Sequence, residues 1–279
     1  MARNLLVWVD GPLPRTASPG WAQGVAQVCD VAAIWTPREG ALHLCRWPLG
    51  RLVDALRELQ AQGLSTRLTV WATSSAGEWA QQAAWLRNVY ELCAVGGVER
   101  PWLDLDAEEA WRGTGTLAAI GDFVAQWRVP VSVSYVPSLR LSAAVRALLR
   151  VPWVGEVIPQ AYSQWQSAKP WTHDKLIRPR TFQRHALEQA REVIAERAPE
   201  APPVALRCGL MAAFQQHPPP SPQGIAALDA AVGEIAAQGV GSVALWSAKH
   251  LSDAERRVWA SGLKKRCAAG LPQEVDAAG

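Results

Sequence analysis

A chain of 279 residues in which apolar strand-like runs alternate with helical patterns predicts an α/β protein built as a single (β/α)8 TIM barrel. Three observations support this. The length is close to the about 250 residues typical of such a barrel. The strand–helix alternation continues from one end to the other, as parallel strands in one closed sheet require. No GxGxxG follows the first strand, so the rival open, doubly wound sheet lacks its phosphate-binding signature.

Strands are predicted over residues 5–10, 31–36, 67–72, 101–106, 129–135, 154–162, 204–210 and 242–246. The first is the apolar run Leu5 to Val9, ending at Asp10-Gly11-Pro12. Helices are predicted over 21–29, 48–62, 78–94, 116–127, 143–149, 181–197, 224–238 and 253–267. In the second helix Leu49, Leu52, Val53, Leu56 and Leu59 recur at helical spacing, and Gly63 closes the run. The third stops at Gly96-Gly97. Segments 139–152 and 161–179 exceed what a minimal barrel needs and follow strands five and six, on the face where barrels build their sites. A proline-rich loop covers 217–222. One domain is expected over 1–270, with a disordered tail over 271–279.

Composition narrows the function classes. Hydrophobic residues make up 49% and charged residues 19%, as in a soluble globular protein with a sizeable core. The net charge of +3 comes from scattered Lys and Arg, so no basic face marks a nucleic-acid partner. No apolar stretch approaches the roughly 20 residues that span a bilayer, and no membrane insertion is expected. The N-terminal apolar run is too short for a signal peptide, so synthesis is expected in the cytoplasm. The five cysteines (Cys29, Cys45, Cys93, Cys208, Cys267) are widely spaced without a CxxC pair, which reads as reduced thiols used as small hydrophobes. The five histidines are dispersed, no Ser-His-Asp set is supported, and no cofactor is expected.

Aromatic usage is unusual: 15 Trp against three Tyr and three Phe. Trp8, Trp35, Trp71, Trp102, Trp165 and Trp246 fall at or just beyond predicted strands. Indole rings stack well on the flat apolar faces of sugars, although a strand Trp is commonly core.

The segment Trp102-Leu103-Asp104-Leu105-Asp106-Ala107-Glu108-Glu109 carries the chemistry. Side chains alternate along a strand, so Asp104, Asp106 and Glu108 share one face and Leu103, Leu105 and Ala107 the other. The apolar set must face the helices, which places the acids on the barrel axis, where unpaired carboxylates are costly. Crowded carboxylates raise one another's pKa, and a Glu so perturbed can protonate a glycosidic oxygen.

LDLDAE resembles the DxDxE core of family 18 glycoside hydrolases, the chitinases and endo-N-acetylglucosaminidases, whose full motif is DxxDxDxE at the end of strand four. The first Asp of that motif falls at Pro101, where this chain departs from it. The resemblance implies Glu108 as the acid, Asp106 as the group orienting the substrate N-acetyl, and Asp104 supporting Asp106. PQAYSQW (residues 159–165) resembles the family segment supplying a Tyr to the N-acetyl carbonyl, here Tyr162. GSVALWS (residues 241–247) resembles the segment whose Trp floors the cleavage subsite, here Trp246. A second, partial resemblance is to family 25 lysozymes, with an Asp ending strand one (Asp10) and a DxE pair ending strand four (Asp106, Glu108). Gln160 and Tyr135 are further expected substrate contacts at the top of the barrel.

The expected function is therefore a retaining, substrate-assisted glycosidase acting on an N-acetylhexosamine glycan, with peptidoglycan favoured and the cell wall reached after lysis or delivery. The alternatives are a catalytically inert glycan-binding barrel and a metal-dependent hydrolase using the strand-four acids as oxygen ligands.

Overall fold

The computed structural model describes residues 5–9, 20–38, 41–45, 48–108, 111–138, 140–161, 182–211, 222–246 and 254–269. Asp10, Tyr162 and the tail after residue 270 lie outside them. The element order is β1 (Leu5–Val9), α1 (Trp21–Val28), β2 (Val31–Trp35), β3 (Pro37–Arg38), β4 (Ala41–Cys45), α2 (Leu49–Ala61), β5 (Ser65–Trp71) and α3 (Ala76–Val95). There follow β6 (Trp102–Ala107), α4 (Leu117–Trp127), β7 (Val131–Tyr135), α5 (Ala143–Arg150), β8 (Val154–Pro159) and α6 (Phe182–Ala195). The last elements are β9 (Ala205–Leu206), β10 (Cys208–Met211), α7 (Pro222–Ala237), β11 (Val243–Trp246) and α8 (Ala254–Ala269).

All strands of the main sheet run parallel, in the order β10-β11-β1-β2-β5-β6-β7-β8-β9. The two ends of that order are halves of one stave, interrupted at Arg207. The Arg207 N–H donates to Val157 O at 3.0 Å, and Gln160 bridges to Gly209, so the sheet returns to β8 and forms the predicted TIM barrel. One feature was not predicted: β3 and β4 form an antiparallel hairpin after the second stave. The alternation in Ala41-Leu42-His43-Leu44-Cys45 is the signal for it, and five residues flanked by Gly40 and Pro48 are too few to stand out.

Local chemistry explains the elements. β1 is buried along its whole length, as befits a strand covered on both faces. α2 packs Leu52, Val53, Leu56 and Leu59 inward, and Gly63 at φ 78 takes the left-handed turn that stops it. Ser75 caps α3 by accepting from the Glu78 N–H at 3.4 Å, and Ser142 caps α5 by accepting from the Val145 N–H at 3.2 Å. Cys29, Cys93, Cys208 and Cys267 are free and buried; burial pushes the Cys29 thiol up to about 12 and those of Cys93 and Cys267 to about 11, which leaves them unreactive.

The barrel interior is divided into two sectors. Leu6, Trp8, Val31, Ala33 and Ala244, from staves eight, one and two, fill an apolar sector with Ile158, which reaches them from stave six. The other sector is polar. Deep within it Glu156 takes Arg67 on one carboxylate oxygen and Arg207 Nε on the other, the latter at 2.9 Å. All three are almost fully buried, and Arg67 also stacks on Trp102, 4.6 Å from the ring centroid. Burial opposes ionisation of Glu156, but Arg207 and Arg67 outweigh it and hold the carboxyl below its ordinary range.

Removing that central charge leaves two guanidinium groups facing each other in a dry interior. Glu156→Gln is therefore expected to cost about 3–5 kcal/mol of stability, read by urea denaturation at neutral pH. Because the folded pKa is depressed, the wild-type advantage is present above the unfolded value of about 4.3 and is lost as pH falls through the folded one. An equal loss at pH 7 and at strongly acidic pH would contradict the ionic origin.

Candidate active site

Strand four, β6, sends Leu103, Leu105 and Ala107 outward into the layer beneath the helices and turns Asp104 and Asp106 into the barrel. Asp104 is 0% exposed and accepts three hydrogen bonds. Trp8 Nε1 (3.1 Å) and Thr69 Oγ1 (2.9 Å) donate to Oδ2, and Ser132 Oγ (2.8 Å) donates to Oδ1. Burial pushes this carboxyl up, while Arg67 and the three donors pull it back.

Asp106 has a different environment. Gln160 Nε2 donates to its Oδ1 at 2.8 Å, and Ser134 Oγ is 3.3 Å from the same oxygen. Its Oδ2 is buried and has no hydrogen-bond partner. Burial, then Glu108, then Asp104 hold Asp106 well above the ordinary carboxylate range. A carboxyl in this position either keeps a proton or waits for a donor from a ligand.

Glu108 lies just beyond the strand, in an exposed bend at the carboxyl end of the barrel. Its carbonyl accepts from the Trp111 N–H at 3.1 Å, and Trp111 is anchored by its own indole, which donates to Ala144 O at 2.9 Å. Ser74 Oγ accepts from the Arg112 N–H at 3.3 Å, and Thr116 Oγ1 donates to Thr73 O at 2.6 Å. The loop carrying Glu108 is thus tied to the neighbouring strand-three loop and to α5.

Four indoles line the interior beside these acids, Trp8 donating to Asp104 and Trp71 lying in register with Asp106. Trp246 packs 5.9 Å from Trp8 and edge-on to Trp35 at 4.8 Å, and Trp35 meets Trp71 edge-on at 6.0 Å. Trp35, Trp71 and Trp246 end their strands, are half-buried, and form a wall at the mouth.

Among the residues expected at a site, Asp104, Asp106, Gln160 and Trp246 come together in the barrel, with Glu108 at its rim. Asp10 and Tyr162 lie outside the described residues. Tyr135 is corrected: Ser132 and Ser134 take the inward positions of β7, so Tyr135 faces outward and is buried in the core under the helices. Burial raises its phenol far above the ordinary value, and its hydroxyl has no partner. The sequence reading missed Thr69, Ser132, Ser134 and Arg67, although Arg67-Leu-Thr69-Val-Trp71 and Ser132-Val-Ser134 alternate with the same period as Asp104 and Asp106. Among the described residues no group of three or more His, Cys, Asp or Glu side chains is arranged to hold a metal ion. Both oxygens of Asp104 are already taken by donors, which suits an anchored carboxyl better than a ligand.

No protein-family model matches this chain, and no curated protein matches it. Solved structures do share its architecture. The catalytic domain of a hyperthermophilic chitinase from Pyrococcus furiosus superposes with a TM-score of 0.60 at 12% identity, covering 96% of this chain and 95% of that one. The Bacillus cereus spore cortex-lytic enzyme SleL gives 0.56 at 12% identity, covering 93% and 74%. The tamarind chitinase-like lectin gives 0.54 at 12% identity, covering 92% and 98%. At such identities the likeness establishes the TIM-barrel fold.

The raised pKa of Asp106 has a measurable cost. As pH rises from about 4, an ordinary carboxyl in the unfolded chain ionises while the folded one keeps its proton, so stability falls by about 1.4 kcal/mol per pH unit until the folded pKa is reached. Asp106→Asn removes that penalty. The variant is expected to melt above the wild type at pH 7, with the gap closing towards pH 4; a variant that melts lower at pH 7 would contradict the assignment.

Proposed function

We propose that this protein is a retaining glycosidase acting on N-acetylhexosamine-containing glycans, with the substrate's own acetamido group as nucleophile. The observation that carries the reading is the buried, unpartnered Oδ2 of Asp106, a carboxyl held by Gln160 on its other oxygen and electrostatically linked to Glu108. In this reading Asp106 accepts the acetamido N–H and turns the acetamido oxygen towards the anomeric carbon. That oxygen attacks as Glu108 gives its proton to the departing glycosidic oxygen, and an oxazolinium-like intermediate forms. Glu108 then takes a proton from water, which adds to the anomeric carbon and reopens the ring with net retention. Retention through substrate assistance is a recognised exception to the two-carboxylate scheme. Asp104, anchored by its three donors, supports Asp106 through its charge, which favours the protonated form of the latter; Tyr162, Asp10, Gln160 and Trp246 are the proposed substrate contacts. The shared fold of a chitinase and a spore cortex-lytic enzyme supports the substrate class. Peptidoglycan is the favoured substrate, with the cell wall as the site of action.

A second reading, a glycan-binding barrel without hydrolysis, is favoured by the lectin that shares the fold. Hydrolysis of purified peptidoglycan and chitin oligosaccharides, with products identified by mass spectrometry, separates the two. Wild type is expected to create new reducing ends, and Glu108→Gln to lose about 10²–10⁴-fold in rate. Binding without cleavage by the wild type would establish the lectin-like reading instead.

A further inference from the structure

Among the described residues several buried indole N–H groups have partners: Trp8 donates to Asp104, Trp111 to Ala144 O, and Trp259 to Asp229. Trp71 and Trp127 are buried at Nε1 without one. Trp127 packs beside Tyr90 and Phe123 in the helix layer. Trp71 instead ends strand three inside the barrel, edge-on to Trp35, and its backbone is in register with Asp106 on the adjacent strand. Two unmet polar atoms therefore occupy neighbouring inward positions: the Trp71 N–H, which can only donate, and Asp106 Oδ2, which accepts once a ligand's donor displaces the proton that the free carboxyl holds.

We propose that Trp71 is a specificity-determining residue of the pocket, its indole N–H donating to an oxygen of the ligand's acetamido group while Asp106 takes the amide N–H. The assignment rests on the glycosidase reading and sharpens it. A trans amide presents an acceptor oxygen and a donor N–H on opposite edges of one planar group, so a donor and an acceptor on two neighbouring strands can each take one edge. A 2-hydroxyl or a protonated 2-amino group presents no carbonyl acceptor, so an orphaned indole N–H discriminates against sugars that lack the acyl group. An unpaired buried donor destabilises the free protein, and only a ligand that satisfies it recovers the loss.

The test uses the full chain with Glu108→Gln, so that ligand is not consumed, and compares tri-N-acetylchitotriose with its fully de-N-acetylated counterpart by calorimetry. Adding Trp71→Phe keeps an aromatic ring and removes the donor. The acetylated trimer is expected to bind about tenfold more weakly, the de-N-acetylated trimer unchanged, and the ligand-free variant to melt at or above its parent. A structural role for the N–H would lower melting instead. Unchanged affinity for the acetylated trimer, or equal loss for both trimers, overturns the role of Trp71 and leaves the glycosidase reading standing if the wild type cleaves. Failure of the parent to bind, together with failure of the wild type to cleave either glycan, overturns both. Should the phenylalanine variant not fold, Trp71→Met, also without a donor, carries the same comparison.

Discussion

Charge placed inside a closed barrel must be neutralised there, and this constraint organises the site. The deep interior is almost closed to solvent, so Arg67 and Arg207 are tolerable only because Glu156 sits between them. Two guanidinium groups against one carboxylate leave positive charge over, and Arg67 directs it towards Asp104, favouring the ionised form that burial resists. The three donors to Asp104 act in the same direction.

Moving towards the mouth, that compensation fades. Asp106 feels two neighbouring acids and has only Gln160 and Ser134 on one oxygen, so its proton is hard to remove. Glu108, one further step out, reaches solvent. The strand and the bend that follows it thus carry an anchored carboxyl, a half-partnered one and an accessible one within five residues, and their differences come from the surroundings rather than from residue type. The aromatic wall of Trp246, Trp35 and Trp71 faces this gradient with apolar surface, as a sugar-binding cleft would require.

The rim is held by modest means. Trp111 fixes the start of the strand-four loop through its own indole, and the Ser74 and Thr116 contacts tie that loop to its neighbour. These ties fall on the loop that presents Glu108, where a small displacement would change the distance to a bound ligand.

The order of staves and helices is legible in the sequence alone, because hydrophobic period and capping residues act over a few neighbours. The sequence also determined that Asp104 and Asp106 point inward, since the apolar Leu103 and Leu105 had to meet the helices. It did not disclose the hairpin at 37–45, whose pairing is marginal in isolation and depends on its setting. Nor did it reveal that Arg67 lies beneath the acids, that Ser132, Thr69 and Trp8 converge on Asp104, or that Tyr135 turns away. Those facts join residues from staves one, three, four and five, brought together only when the sheet closes, and barrel register rather than local propensity decides which of them meet.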